Sequence, residues 1–264
     1  MPAKKSLGQN FLHDQSVLEE ILKSSELDSN DQVVEIGPGE GFLTKALLEK
    51  VAHLTAIELD HDLIPWLKMD FGKNPRFELV EGDALKFIPP KTPYKLIANI
   101  PYYITSPILN HFLLEQFISG NPPKLLVLMV QREVAEKITD PKKHSVLSLQ
   151  VRLFAEAELI RIVKPESFKP RPAVDSAILK IRTHSKPKIN GDLKKLLWLM
   201  KMSFAQKRKK LSNNLAGILK LSNADTKKCF EKIGINPDLR AEDLQFEEWE
   251  KLLSELGSQL HSQQ

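Results

Sequence analysis

Gln32-Val33-Val34-Glu35-Ile36-Gly37-Pro38-Gly39-Glu40-Gly41 reads as a buried strand running into a glycine-rich turn. Val33, Val34 and Ile36 are β-branched and apolar, as a covered strand requires. The glycines let the backbone turn sharply and approach a ligand closely. Helical spacing follows at once, with Phe42, Leu43, Ala46 and Leu47 recurring through Phe42–Val51. Such a strand-turn-helix unit could bind a dinucleotide, a flavin or S-adenosylmethionine.

The alternation continues on both sides of that unit. His53–Leu59 reads as a second strand, and Asp60 offers an N-cap for a helix over His61–Phe71, with Pro65 in its first turn. Phe77–Val80, Lys95–Ile100 and Lys124–Gln131 are further strands, with helices predicted over Ser106–Phe117 and Arg132–Thr139. Ala157–Lys164 and Ala177–Arg182 form two more strands around a proline-rich loop. Strands alternating with helices predict an α/β fold: an open, Rossmann-like parallel sheet with helices on both faces. After Thr183 the pattern changes. His184–Gly191 is a polar linker, and the apolar spacing beyond it is helical: Leu193, Leu196, Leu197, Met200 and Phe204, then Trp249, Leu252, Leu253 and Leu256. The expectation is a catalytic domain over 1–185 and a small all-helical domain over 186–264.

Bulk properties narrow the class. With 264 residues, 42% hydrophobic and 27% charged, the chain has the composition of a globular protein of two domains. Its longest apolar run, Leu125–Val130, is too short to span a bilayer, so no membrane role is expected. The N-terminal residues lack the apolar stretch of a secretory signal, and the one cysteine, Cys229, excludes an internal disulfide; a cytoplasmic location is expected. Cys229 sits in a helical pattern beside Phe230 and reads as a core residue. His13, His53, His61, His111, His144, His184 and His261 show no ligand spacing, so no metal is expected. The net charge is only +4, but Lys194, Lys195, Lys201, Lys207, Arg208, Lys209 and Lys210 cluster without an acid among them, and Lys4 and Lys5 add charge at the other end. The cluster is either a solvated helix face or a surface for phosphates.

Three details of the glycine turn favour S-adenosylmethionine. The spacing is Gly-x-Gly-x-Gly and not the Gly-x-Gly-x-x-Gly of dinucleotide folds. Glu35, just before the turn, would repel a pyrophosphate but not a cationic sulfonium. Acids recur at the ends of the next two strands. Glu58 is placed to accept hydrogen bonds from ribose hydroxyls, and Asp83, in Gly82-Asp83-Ala84, from the amino group of an adenine.

After the next strand comes Asn99-Ile100-Pro101-Tyr102. The chemistry it suits is methylation of an exocyclic amine on a planar base. That lone pair is delocalised into the ring, and the amine is too weakly acidic for prior deprotonation. The Asn99 side-chain oxygen and the Ile100 carbonyl can each accept from the amine and favour a pyramidal nitrogen, so orientation carries most of the task. Pro101 stiffens the turn. Tyr102 offers a stacking face worth roughly 1–3 kcal/mol, against the few kcal/mol lost on flipping a base out. Phe168, in Pro165-Glu166-Ser167-Phe168-Lys169-Pro170-Arg171-Pro172, could supply the opposite face of an aromatic clamp or be a buried aromatic in a proline-rich connection.

These segments resemble the small-subunit ribosomal RNA adenine dimethyltransferase family. The resemblance covers nearly the whole chain. It runs through Lys5-Ser6-Leu7-Gly8-Gln9-Asn10-Phe11-Leu12, Glu35–Gly41, Glu58-Leu59-Asp60, Gly82-Asp83-Ala84, Asn99–Tyr102 and Phe168–Ser176. It continues through Phe204–Leu211 and Asn236–Leu244. It implies a class I methyltransferase using S-adenosylmethionine. It implies that Asn10, Leu12, Gly37, Glu58, Asp83 and Asn99 line the cofactor pocket, and that Asn99, Tyr102 and Phe168 serve the target base, beside the Ile100 and Pro101 of the same turn read above as part of the catalytic set. It implies that the N-terminal segment closes over the cofactor, where Gln9–Leu12 alone would read as a helix lead-in. The family dimethylates two adjacent adenosines in the 3′-terminal hairpin of small-subunit (16S) rRNA, so the small ribosomal subunit is the implied partner, a role in its biogenesis follows, and the protein is expected to act as a monomer.

Four other readings compete. A large-subunit rRNA adenine-N6 methyltransferase of the antibiotic-resistance type shares the catalytic domain. Gly234-Ile235-Asn236-Pro237 and the N-terminal match favour the small-subunit reading. A non-catalytic ribosome assembly factor on the same fold is disfavoured by intact Asn99 and Tyr102. A DNA adenine methyltransferase lacks a matching target-recognition segment. A nicotinamide-dependent oxidoreductase is the remaining fold-level alternative.

Overall fold

The structure is a computed structural model that describes residues 3–4, 7–142, 144–206 and 208–257. Lys5, Ser6, Lys207 and His261, named above, lie outside the described residues. In chain order the first elements are β1 (Phe11–Leu12), α1 (Gln15–Ser24), β2 (Gln32–Ile36), α2 (Phe42–Leu48), β3 (His53–Glu58), α3 (Ile64–Phe71), β4 (Phe77–Glu81) and β5 (Tyr94–Asn99). A helical stretch follows: α4 (Thr105–Ile108), a π-helical segment (Leu109–Glu115) and α5 (Gln116–Ser119). Then come β6 (Leu125–Gln131), α6 (Arg132–Thr139), α7 (Val146–Phe154), β7 (Ala155–Val163), β8 (Phe168–Lys169) and β9 (Ser176–Thr183). The rest is α8 (Leu193–Ser203), α9 (Leu211–Leu219), α10 (Asn223–Lys232) and α11 (Phe246–Leu256).

The main sheet has seven strands in the order β4-β3-β2-β5-β6-β9-β7. Strands β4 through β6 are parallel. Strand β9 runs antiparallel to both β6 and β7, which corrects the expectation of an all-parallel sheet. The proline-rich segment between β7 and β9 holds no crossover helix, and antiparallel neighbours need none. The chain runs outward from β2 to β3 and β4, then returns to place β5 on the other side of β2. That reversal is the switch point where ligands bind at the carboxyl ends of strands.

Strand β6 shows why both faces must be covered. Its first six residues are all buried. Leu125, Val127 and Met129 join a cluster with Val17, Leu18 and Ile21 of α1 and with Leu43 and Leu47 of α2. Leu126, Leu128 and Val130, on the opposite face by strand alternation, are equally inaccessible.

Two elements begin differently from the sequence expectation. Phe11–Leu12 is a strand and not a helix lead-in, pairing antiparallel with β8 through Leu12 opposite Phe168. The helix begins only after Asp14, whose carboxylate accepts from the Ser16 and Val17 amides. Asp60 does not cap α3, which starts at Ile64 with Leu63 at its N-cap. Its side chain instead accepts from the Asp62 amide and holds a turn.

The chain forms two compact units, one of Met1–Thr139 and Ala155–His184, the other of Asp140–Phe154 and Ser185–Gln264. Residues 140–154 therefore group with the helical unit, which corrects the contiguous span 1–185. The reason is packing: α7 buries Leu149, Val151, Leu153 and Phe154, packs on α8, and its Leu153 carbonyl accepts from the Lys188 amide at 2.9 Å. Within the helical unit Trp249, Leu252, Leu253 and Leu256 are buried as expected, and Trp249 stacks on Phe204 at 6.5 Å between centroids. On α8 the buried stripe runs through Leu196, Leu199 and Met200, with Leu193 and Leu197 only half-buried. Cys229 is likewise half-buried, not a core residue.

Candidate active site

The carboxyl ends of β2, β3, β4 and β5 converge on one cleft with a cavity volume of about 280 Å³. That is near the lower end for cofactor pockets, roughly 300 Å³. Each strand end contributes to it. Strand β2 delivers Gly37 and Gly39, β3 delivers Glu58, the residues after β4 deliver Asp83, and β5 with its following turn delivers Asn99, Ile100, Pro101 and Tyr102. Asn10 enters from the N-terminal segment. Eight of the residues expected at the site thus share one cleft.

Leu12 and Phe168 do not line it. Both lie in the hydrophobic cluster under β2 and β6, 7% and 2% exposed. Alternation along β1 explains the first: Leu12 points to the core and its neighbour Phe11 to the cleft. Phe168 faces Leu12 across the β1–β8 pair, so in this structure it is a packing residue and not the far wall of a clamp. Sequence reasoning missed Phe11 and Tyr103 as lining residues. The period-2 pattern of β1 could have found Phe11, had the segment been read as a strand.

Gly39 shows why the turn needs glycine. Its φ is +58°, and a Cβ there would sit 2.9 Å from Cδ1 of Phe11. The turn is held from below by Glu58, whose Oε2 accepts from the Gly39 amide at 3.3 Å and whose Oε1 accepts from the Asp60 amide at 2.8 Å. Burial raises the Glu58 pKa above the ordinary carboxylate value, opposed by those amides. Asp83 is fixed more locally, its Oδ1 accepting from the Leu85 amide at 2.9 Å.

Asn99 donates from Nδ2 to the Asn10 carbonyl oxygen at 2.9 Å. A carbonyl oxygen only accepts, so the amide orientation is determined. Among the described residues no donor is bonded to the Asn99 Oδ1. The Tyr102 hydroxyl is tied to the Ser176 hydroxyl at 2.6 Å, which anchors the ring to the start of β9. Burial raises the Tyr102 pKa, so its hydroxyl stays protonated at neutral pH.

Glu35 plays a different part from the one expected. It is buried beneath the turn, accepts from the Thr44 hydroxyl at 2.8 Å, and is absent from the cleft lining. Burial, with the nearby Glu58 charge, pushes its pKa up to about 8 although Thr44 favours the ionised form. It is therefore mostly neutral at pH 7, and electrostatic repulsion of a pyrophosphate is not its role. A consequence for stability follows. In the unfolded chain the carboxyl ionises above its ordinary value of about 4.5, while the folded chain keeps the proton up to about 8. The folded state then binds more protons, so stability is full below about 4.5 and falls as pH rises towards 8. Glu35→Gln is expected to remove that slope, gaining roughly 2–4 kcal/mol relative to the parent at pH 8.5. Urea unfolding across pH 4.5–8.5 checks this, and parallel pH profiles for the two proteins would refute it.

The same architecture recurs in solved structures. A dimethyladenosine transferase from Plasmodium falciparum matches with a TM-score of 0.78 at 27% identity, covering 94% of this chain and 98% of that one. The 23S rRNA methyltransferase ErmE matches with a TM-score of 0.73 at 28% identity, covering 94% of this chain and 100% of its own. The fold is that of the Rossmann-like class I methyltransferases. In sequence, residues 2–257 match the family model for ribosomal RNA adenine dimethylase, and the chain belongs to that family. A relative from Clostridium botulinum (strain Loch Maree / Type A3), described as ribosomal RNA small subunit methyltransferase A, is 42% identical over 257 residues, 94% of this chain and 92% of that protein.

Proposed function

We propose that this chain uses S-adenosylmethionine to dimethylate the N6 amines of two adjacent adenosines in the 3′-terminal hairpin of small-subunit (16S) rRNA, as a step of small-subunit biogenesis. The observation that carries the reading is the Asn99 amide: its nitrogen is committed to Asn10, which leaves its oxygen to accept from an incoming amine.

The cleft fits the cofactor. Glycines at 37 and 39 allow close backbone approach, and Glu58 and Asp83 present acceptors suited to a ribose and an adenine amino group. Asn10, Gly37, Glu58, Asp83 and Asn99 would hold S-adenosylmethionine, which when bound supplies an electrophilic methyl group. The chain's own residues orient the acceptor. Asn99 Oδ1 and the Ile100 carbonyl accept from the two amine hydrogens and turn the nitrogen lone pair out of the ring plane. Tyr102, held by Ser176, stacks on the base. No side chain need remove a proton before attack, because the lone pair and not an anion is the nucleophile. Among the described residues no cluster of His, Cys, Asp and Glu could hold a metal ion, and this chemistry calls for none.

The helical unit is read as the part that grips the ribosomal subunit. Arg208, Lys209 and Lys210 lie in the turn between α8 and α9, not on a helix face. Arg208 and Lys209 are exposed, while Lys210 pairs with Asp238 at 2.8 Å. Replacing Lys207, Arg208 and Lys210 together is expected to weaken subunit binding and to flatten its salt dependence, by about one unit of slope for each phosphate that is no longer neutralised. Binding titrations from low to high salt check this, and an unchanged slope would leave the cluster as a solvated surface. No helix among the described residues is long and apolar enough to cross a membrane. The reading takes the protein to work as a monomer in the cytoplasm.

The direct test is transfer of labelled methyl groups to purified, unmethylated subunits, followed by nucleoside analysis. Dimethyladenosine at adjacent positions of the small-subunit RNA is expected. Labelling of the large subunit alone would favour the resistance-type reading, and no transfer to either would favour an assembly factor.

A further inference from the structure

We propose that Asp60 is a positioning residue that latches the N-terminal segment over the cleft and couples that closure to Glu58. The proposal rests on the cofactor reading above only for its second half.

Asp60 follows β3 and is 4% exposed, unusual for an acid at a strand end. A carboxylate in such a place must be fully paired, and this one is. Its Oδ2 accepts from Gln9 Nε2 at 2.7 Å. Its Oδ1 accepts from the Asp62 amide at 3.0 Å and from the Lys4 ammonium. The Lys4 amide in turn donates to Gln9 Oε1 at 2.7 Å, so the two N-terminal side chains form one clasp. Burial opposes the charge on Asp60, but the hydrogen bonds from Lys4 and Gln9 hold its pKa below the usual carboxylate value.

Two attachments therefore fasten the segment across the cleft. Asp60 holds Lys4 and Gln9 at the β3 end, and Asn99 holds the Asn10 carbonyl at the β5 end. Between and beside them, Gly8, Asn10 and Phe11 line the cleft. The latch is also wired to the ribose-side acid, because the Asp60 amide donates to Glu58 Oε1. A ligand that engages Glu58 acts on the same turn that carries the clasp. By linkage, a ligand that favours the closed segment binds more tightly when the segment is closed, and a latch over the cleft is expected to slow its release.

A plain turn residue would explain only part of this. The Asp62 amide and the Leu63 amide, which donates to the Asp60 carbonyl, would be satisfied equally by asparagine. Asp60→Asn separates the two roles. It retains the oxygen for the Asp62 amide, but sets an NH2 group against the NH2 of Gln9 and removes one of the two charges that hold Lys4, leaving the Asp62 carboxylate, whose Oδ2 lies 2.6 Å from the ammonium.

The test uses the full chain, with and without S-adenosylmethionine. Limited trypsin digestion reads the N-terminal lysines, and stopped-flow dilution reads cofactor release. In Asp60→Asn, N-terminal cleavage of the ligand-free protein is expected to be about tenfold faster and cofactor release about tenfold faster. Gln9→Ala should act in the same direction, and the double variant should fall short of the sum of the two single effects, since the Gln9–Asp60 bond is lost only once. Parental cleavage rates in ligand-free Asp60→Asn overturn the latch. Faster cleavage with a parental release rate overturns the coupling to Glu58. If the parent binds no S-adenosylmethionine, the cofactor reading fails, and the ligand-free cleavage comparison still decides the latch.

Discussion

Asn99→Ala is expected to abolish methyl transfer, a loss of about 10³-fold or more in single-turnover rate, while the protein remains folded. The expectation follows from what the side chain touches. Its Nδ2 is held by the Asn10 carbonyl, so its Oδ1 is preset to receive the amine before the base arrives. Alanine removes that acceptor and leaves the amine planar, with its lone pair delocalised in the ring. The cost to folding is small, about 1 kcal/mol for one half-buried hydrogen bond. Cofactor affinity should fall much less than rate, because Asn99 contributes only one of several cleft walls. Methyl transfer to small subunits, equilibrium cofactor binding and a thermal melt on the same preparation separate these quantities. Turnover near the parental rate would remove Asn99 from the mechanism.

Glu58→Gln is expected to weaken S-adenosylmethionine binding about 10²-fold, although glutamine has the same shape. Both carboxylate oxygens of Glu58 already accept backbone amides, from Gly39 and from Asp60. Glutamine has one oxygen, so its NH2 must face one of those amides, donor against donor. The glycine turn or the Asp60 turn then shifts, and the acceptor intended for the ribose is lost as well. Melting temperature should fall with affinity, since an unpaired buried amide costs about 1–3 kcal/mol. Isothermal titration with the cofactor checks the prediction, and affinity within twofold of the parent would show that Glu58 is only a scaffold for the turn.

Both predictions concern residues that are legible in the sequence, because each lies at a strand end beside a turn marker. Gly37, Glu58, Asp83 and Asn99 follow apolar runs whose length and β-branched content give strands in isolation. A parallel sheet carries the ends of such strands to one edge whatever the details of packing. Asn10 and Leu12 are different, since only resemblance implies them. The structure places Asn10 in the cleft and Leu12 in the core, and that split depends on Phe11–Leu12 being a strand. Two residues are too short to show a period. Phe168 is ambiguous in sequence for a related reason: its strand partner lies far away along the chain, and only pairing with β1 decides which way its ring points. Glu35 and Asp60 depart from their sequence readings in opposite senses. Local spacing makes one a charge beside the turn and the other a helix cap; burial makes the first a neutral carboxyl under the turn and the second a clasp for the N-terminus.

By itself, then, the sequence determined the α/β alternation, the gathering of strand ends at one ligand-binding edge and most of the groups around Asn99-Ile100-Pro101-Tyr102, because local spacing and strand polarity suffice for these. Only the tertiary structure decided the antiparallel insertion of β9, the transfer of residues 140–154 to the helical unit, the burial of Phe168 and Glu35, and the closure of Lys4 and Gln9 on Asp60. Each of these depends on interactions between residues far apart in the chain, where burial and partner, not neighbouring sequence, set the protonation, direction and role of a side chain.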